Sequence, residues 1–144
     1  MHIRNADPAD LAGLAEVDPI LAADPQRLAE VAHAIVNHHA FVAEDLTRLL
    51  GYAILDHRFF SNGFVELLVV HPGHRRAGVG SALMRHARTV CRTPKLFTST
   101  NASNEPMQTL LDRLGFRRCG TIDALDEGDP RAIASYALAR SVRR

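Results

Sequence analysis

The sequence predicts a single domain of the α/β (α+β) class over residues 1–144, a mixed sheet with helices on it. Three observations predict it. The length of 144 residues suits one hydrophobic core. The 47% apolar and 23% charged content is that of an ordinary globular protein, which excludes a disordered chain, a collagen-like repeat and a disulfide-dense small scaffold. Helix-period and strand-period segments then follow one another in the order β-α-α-β-β-β-α-β-α-β-β, with no internal repeat or low-complexity linker.

Each element has a local cause. His2–Asn5 reads as a short strand. Asp7-Pro8 is a cap followed by proline at the first helical position, ahead of Leu11, Leu14, Ala15 and Val17 at helical spacing. Asp24-Pro25 repeats that signal ahead of Leu28, Val31, Ala32, Ile35 and Val36, and this helix ends near Asn37-His38. Ala40–Glu44 and Leu49–Phe60 are β-rich and separated by the polar Asp45–Arg48. Ser61-Asn62-Gly63 holds the Asn-Gly pair of a tight hairpin. Phe64–Val70 is apolar except for Glu66 and reads as a central strand buried on both faces. Gly78–Arg92 reads as a helix with Leu83, Ala87, Val90 and Cys91 inward and Arg85, Arg88 and Arg92 outward. Leu96–Thr100 is a strand. Glu105–Leu114 is a helix with Met107, Leu110, Leu111 and Leu114 on one face and Gly115 as its C-cap. Arg117–Ile122 and Arg131–Ala139 close the chain as strands around Asp123–Pro130.

The net charge of +1 conceals a segregation. Residues 1–66 carry −6, residues 67–104 carry +6 with no acid at all, and residues 105–144 carry +1. An acid-free stretch of 38 residues points to an anionic partner of small footprint, a phosphorylated small molecule. The near-neutral total argues against a nucleic-acid partner. No apolar run reaches the roughly 18–20 residues of a membrane span, and the N-terminus has no signal-peptide core, so neither membrane nor export is expected. The two cysteines, Cys91 and Cys119, form neither a disulfide framework nor a metal set, and the expected home is the reducing cytoplasm. Both read as small core residues. The eight histidines show no metal-ligand spacing, so no metal is expected.

The informative segment is Val69-Val70-His71-Pro72-Gly73-His74-Arg75-Arg76-Ala77-Gly78-Val79-Gly80-Ser81. An apolar strand feeds a turn with two arginines and two close glycines, and a helix starts there. Such a turn aims several backbone N–H groups at one spot beside the positive end of a helix dipole. Gly78 and Gly80 let the backbone approach a bulky anion, and Arg75 and Arg76 add charge. On these grounds the turn is a pyrophosphate cradle. It is not a P-loop, because Gly80 is followed by Ser81 without a lysine. Nor is it a dinucleotide fingerprint, because Leu83 stands where the third glycine would be and no acid follows until Glu105.

Arg75-x-x-Gly78-x-Gly80 resembles the acetyl-CoA-binding signature of the GNAT superfamily of N-acetyltransferases. The strand ending Val70-His71-Pro72 is similar to that family's fourth strand. Asn104-Glu105-Pro106-Met107 followed by Leu114-Gly115-Phe116 is similar to a second family segment, and the element order is the family's order. The resemblance implies a mostly antiparallel sheet with splayed central strands 4 and 5 and acetyl-CoA as cosubstrate. It implies that the backbone of Leu68, Val69 and Val70 holds the pantetheine arm. Arg75, Arg76, Ala77, Gly78, Val79, Gly80 and Ser81 would hold the pyrophosphate, and Asn104 would lie near the pantetheine. A backbone N–H near Val70 would polarise the thioester carbonyl, a contact typically worth about 2.7–4 kcal/mol. The acceptor would be the primary amine of a small molecule or peptide, attacking the thioester directly. Family dimers are common, which allows a homodimer.

Direct attack needs a base. Glu66 is the candidate, because alternation along the strand puts it on the face of Leu68 and Val70 and an apolar setting should raise its pKa. The competing reading is a carboxylate paired with an arginine. Where many family members carry an acidic tyrosine this chain has Leu111, and Ser99 stands where some relatives have a glutamate. Tyr52 and Tyr136 are substitutes for that acid, although strand positions suit core roles. Leu111 also motivates the alternative function, a non-catalytic acyl-CoA-binding sensor or partner-binding module. His57, Phe59 and Phe60 end the third strand, where the resemblance places the substrate cleft, and edge or core roles compete there. His71 and His74 flank the turn, where solvation or a phosphate contact explains them as well as catalysis. Asp123, Asp126, Glu127 and Asp129 either draw a cationic amine or form a solvated hairpin turn.

Overall fold

The computed structural model describes residues 1–46 and 48–138. Seven strands hydrogen-bond in the order β1-β2-β3-β4-β5-β7-β6. They are β1 (His2–Asn5), β2 (Ala40–Asp45), β3 (Arg48–Phe59), β4 (Asn62–Val70), β5 (Lys95–Asn101), β6 (Arg117–Ile122) and β7 (Arg131–Ala137). The mixed α/β (α+β) sheet is as expected. Thr47 and Ala139, included in the expected Asp45–Arg48 connection and last strand, lie outside the described residues.

The chain forms two compact units. The first comprises Met1–Leu55 and Leu67–Thr89. In it β1 pairs antiparallel with β2, and β2 pairs antiparallel with β3 through a bulge between Ala43 and Glu44. Its helices are α1 (Leu11–Val17), α2 (Pro19–Ala23), α3 (Pro25–Val36) and α4 (Val79–Val90). Three Asp-Pro pairs start the N-terminal turns. Asp7, Asp18 and Asp24 each accept a hydrogen bond from the N–H two residues on, at 2.9, 3.0 and 2.9 Å. Each such cap is worth about 1 kcal/mol. The middle pair starts α2, an extra short helix beyond the four expected.

Leu14, Val17, Leu21, Val31, Ala34 and Ile35 from these helices bury against Ala40, Val42, Tyr52 and Ile54 of the sheet. Leu67 and Val69 pack on the same core. The buried stripe of α3 is narrower than expected, since Leu28 is 42% and Val36 68% exposed. In α4 the buried residues are Val79, Leu83, Met84 and Ala87, while Val90 turns out to solvent in the last turn.

The second unit comprises Asp56–Glu66 and the chain from Val90 onward. Gly63, Phe64 and Val65 of β4 pair in parallel with Leu96, Phe97 and Thr98 of β5, the parallel arrangement that the expected splayed pair requires. β7 pairs antiparallel with β5 and with β6. Helix α5 (Glu105–Arg113) is followed by Gly115 at φ +88°.

The hairpin between β3 and β4 turns at Phe60 and Ser61, with φ of 51° and 64°, rather than at Asn62-Gly63. Gly63 belongs to the strand for a packing reason. Its N–H donates to Thr93 Oγ1 at 2.9 Å, and a Cβ there would lie 2.5 Å from the Cys91 sulfur. Two positive-φ turn residues match the right-handed twist of the flanking strands, and glycine's freedom is used one step later. Expected two-face burial of β4 is not observed: Gly63 and Val65 are buried, Glu66 is exposed, and Leu67 to Val70 are half-buried. Cys91 is buried as expected, but Cys119 is exposed, because β6 is the last strand in the order and exposed along its whole length.

Candidate active site

Leu67 and Val69 point into the apolar core, so alternation places Leu68 and Val70 on the opposite face of β4. The strand ends as the His71 N–H donates to the Leu50 carbonyl at 2.8 Å. His71 Nδ1 then accepts from the Gly73 N–H at 2.9 Å and starts a short 3₁₀ turn, Pro72–His74. The His74 ring lies edge-on to His71, with centroids 5.0 Å apart. Local turn geometry therefore accounts for both histidines.

Arg75 follows in extended conformation, then Arg76 at φ +67° and Gly78 at φ +83°. The Gly78 carbonyl accepts from the Ala82 N–H at 3.0 Å, which makes Gly78 the residue that leads into α4. The first N–H groups of an α-helix have no intrahelical acceptor, and here they belong to Val79, Gly80 and Ser81. A Cβ built on Gly78 meets nothing within 4 Å, so the turn opens onto space there. Arg75, Arg76 and Ala77 are exposed, and neither arginine side chain forms an ion pair or hydrogen bond among the described residues.

Behind this turn β3 comes very close. A Cβ on Gly51 would lie 2.7 Å from the Val69 carbonyl oxygen, 3.0 Å from Val79 and 3.2 Å from Leu83. Gly51 therefore sets the approach of β3 to the strand and helix that flank the turn. It carried no signal in the sequence beyond being a glycine inside a strand.

Glu66 and Asn104 belong to the second unit. Glu66 is exposed, not enclosed by apolar neighbours. Asn104 is exposed, and its Oδ1 accepts from the Met107 N–H at 3.2 Å, so it caps α5. Leu111 is buried at 4% exposure, a core residue where the family resemblance would place an acidic tyrosine.

Tyr52 is excluded as a substitute acid. It is fully buried in the first unit, and its hydroxyl donates to Asp18 Oδ2 at 2.6 Å. Burial, reinforced by that carboxylate, pushes its pKa well above the usual phenol range. Tyr136 is half-buried against Phe116, with ring centroids 5.4 Å apart. His57 Nε2 accepts from the Arg92 N–H at 3.0 Å, a structural role. Phe59 sits between Phe60, Phe64 and Phe97, with centroids 5.0, 4.8 and 5.1 Å away.

The acidic loop is partly tied down. Asp129 accepts from the Ser103 hydroxyl at 2.6 Å, the Ser103 N–H at 3.0 Å and Asn101 Nδ2 at 3.2 Å. The Ser103 contacts hold its carboxyl below the usual range. Asn101 also donates to Asp126 at 2.7 Å, and Arg131 donates to Asn101 Oδ1 at 2.8 Å and to Ser99 at 3.0 Å. Ser103 and Arg131 were not singled out in the sequence. The polar run Asn101-Ala102-Ser103-Asn104 directly after a strand was the signal for such a latch.

A strand paired in parallel with its neighbour runs into a glycine turn and a helix start, inside a seven-stranded mixed sheet of the α/β (α+β) class. Residues 10–116 match the acetyltransferase (GNAT) family, and the chain belongs to that family. It is similar to the streptothricin acetyltransferase of Streptomyces lavendulae, 33% identical over 84 residues, which are 56% of this chain and 44% of that protein. The chain thus matches less than half the length of that curated relative. A GNAT-family acetyltransferase from Bacillus cereus superimposes with a TM-score of 0.90 at 31% identity, covering 96% of this chain and 98% of the other. A putative acetyltransferase from Salmonella typhimurium, solved with its cofactor acetyl-CoA, shares the fold at 19% identity with a TM-score of 0.77, over 98% of this chain and 96% of that one.

Proposed function

We propose that this chain is a single acetyltransferase domain that uses acetyl-CoA to acetylate the primary amine of a small cationic molecule. The observation that carries the reading is the Arg75–Ser81 turn: open space over Gly78, two exposed arginines unpaired among the described residues, and the start of a 12-residue helix. That geometry fits a diphosphate on its own terms, since anions are held by amides at helix N-termini and by guanidinium groups. Acetyl-CoA bound to the fold relative from Salmonella typhimurium supports the choice of anion. The similarity to a streptothricin acetyltransferase supports a small-molecule acceptor, whose primary amine is cationic at neutral pH.

Bound acetyl-CoA supplies a thioester, an acyl carbon already activated toward amines. The chain's residues do the rest. Amides of Val79, Gly80 and Ser81 and the charge of Arg75 and Arg76 hold the diphosphate, and the backbone of Leu68, Val69 and Val70 orients the pantetheine arm. An N–H near Val70 polarises the thioester carbonyl as the nitrogen–carbon bond forms and the carbon–sulfur bond breaks. Glu66 takes, through water, the proton that the acceptor's ammonium loses so that the neutral amine can attack, and its exposure permits that relay. The thiolate leaves without a dedicated acid, because a thiol pKa of about 8.5 makes it a tolerable leaving group. Asn104 caps the start of α5, and the role near the pantetheine proposed for it is the one the family resemblance implies. The free thiols of Cys91 and Cys119 suit the reducing cytoplasm.

The test is thiol release from acetyl-CoA across a panel of amines, with acetyl-CoA binding measured in parallel. Expected are turnover on cationic amines and loss of acetyl-CoA binding in Gly78→Val. Glu66→Gln should lower kcat by about 10²-fold or more while binding stays intact, the usual scale for a lost general base. Tight binding with no turnover on any amine would instead establish the non-catalytic acyl-CoA module that the buried Leu111 favours.

A further inference from the structure

We propose that the chain carries a second anion site, for a small molecule bearing several phosphate or carboxylate groups, in the notch where β6 begins beside the ends of β5 and β7. The cavity there has a volume of about 450 Å³ and is lined by Lys95, Arg117, Arg118, Ser135, Tyr136 and Ala137 among others, with no carboxylate on its wall among the described residues. That volume is within the range of about 300–1,000 Å³ of small-molecule sites.

The strand register builds the notch. β7 continues to Ala137, while β6 starts at Arg117 opposite Ser135, so the last two residues of β7 extend past the start of β6. Lys95 is paired with Ala137, and Phe97 with Ser135, on the other side of β7. Paired residues share a sheet face. Lys95 and Arg117 therefore stand on one face, two strands and two residues apart, or about 12 Å between their Cα atoms from standard strand spacing and rise. The small side chains of Ser135 and Ala137 lie between them and leave room for a ligand.

Charge makes the case for an anion. The Lys95 and Arg117 side chains form no ion pair or hydrogen bond among the described residues. Arg118 is held in place by its Nη2–H donating to Gln108 Oε1 at 2.8 Å, a neutral partner that leaves its charge uncompensated. Lys95 and Arg117, on one face of the cavity, repel one another, and an anion between them relieves that repulsion. Their separation favours a ligand with more than one negative group over a single monovalent ion.

The experiment titrates inorganic pyrophosphate and citrate into the protein by calorimetry, alone and with acetyl-CoA at saturation. Binding of either probe that persists with acetyl-CoA present is expected, and the preferred probe tells phosphate from carboxylate. Lys95→Glu/Arg117→Glu should weaken it at least tenfold, Lys95→Arg/Arg117→Lys should retain it, and Arg75→Ala/Arg76→Ala should leave it unchanged. Circular dichroism of the charge-reversed variant checks that it folds, and if it does not, the single variant Arg117→Gln takes its place. The proposal is overturned if neither probe binds the unaltered protein once acetyl-CoA is at saturation, or if the folded charge-reversed variant binds as well under that condition. Acetyl-CoA binding is scored separately, so failure of the notch and failure of the transferase reading give different results.

Discussion

Asp18 holds a charge in the interior of the N-terminal unit at 2% exposure, and three donors make that tolerable. Arg27 Nη1 and the Tyr52 hydroxyl each reach Oδ2 at 2.6 Å, and the Ile20 N–H reaches Oδ1 at 3.0 Å. Removing one partner of such a buried pair typically costs about 3–5 kcal/mol, whereas the exposed Arg58 gains little from Asp56 at 4.0 Å. His86 presents the opposite case. Its ring packs edge-on to buried Phe41, centroids 4.7 Å apart, and burial lowers its pKa. A histidine with a lowered folded pKa binds fewer protons folded than unfolded below its ordinary value of about 6.5. Its share of stability is therefore complete above that pH and drains away as pH falls through the folded pKa. Thermal melts between pH 7.5 and 5 should show a steeper loss in the unaltered protein than in His86→Leu. Parallel slopes would remove His86 as the cause. Tyr52 was visible in the sequence as a titratable group, but its partner is 34 residues away, so its role was not.

At the level of elements, local chemistry placed most starts and tertiary packing moved several ends. Asp-Pro caps predicted the first helices, and the same pair at Asp18-Pro19 started α2. The Asn62-Gly63 signal failed because Gly63 was needed inside the strand against Cys91. The edge strand β6 is guarded by Arg117, Arg118 and a bulge between Arg118 and Gly120, features that discourage pairing with another sheet edge. Gly51 is the element-scale prediction. Gly51→Ala forces a methyl toward the Val69 carbonyl, so β3 or β4 must shift. Overpacking of this kind costs about 1–3 kcal/mol. Chemical denaturation should register that loss, and acetyl-CoA affinity should fall with it because the displaced strand leads into the Arg75–Ser81 turn. Unchanged stability and affinity would mean that the strand gap relaxes freely.

For the whole molecule, the arrangement of charge matters more than its total of +1. Residues 67–104, which hold all the expected diphosphate contacts, carry +6. Electrostatic attraction to a polyanion is screened beyond about 10 Å at 0.1 M salt. Acetyl-CoA affinity is therefore expected to fall between 50 and 500 mM salt, and to fall less in Arg75→Ala/Arg76→Ala. A salt response identical in the two proteins would place the governing charges elsewhere. No helix among the described residues is long and apolar enough to cross a membrane.

Periodicity, Asp-Pro caps and the glycine-arginine turn are short-range signals, and from them the sequence alone determined the strand order, every helix but the short α2, the family resemblance and the place expected for an anion cradle. Contacts between distant positions decided the remainder. Asp18 with Tyr52, Asp129 with Ser103, Gly63 with Cys91, and the notch shared by Lys95 and Arg117 all join residues far apart in the chain. Burial was likewise a tertiary outcome: Glu66 and Cys119 read as enclosed, yet both are exposed. Hydrophobic period tells which face of an element is apolar, but only the assembled neighbours determine which face is covered.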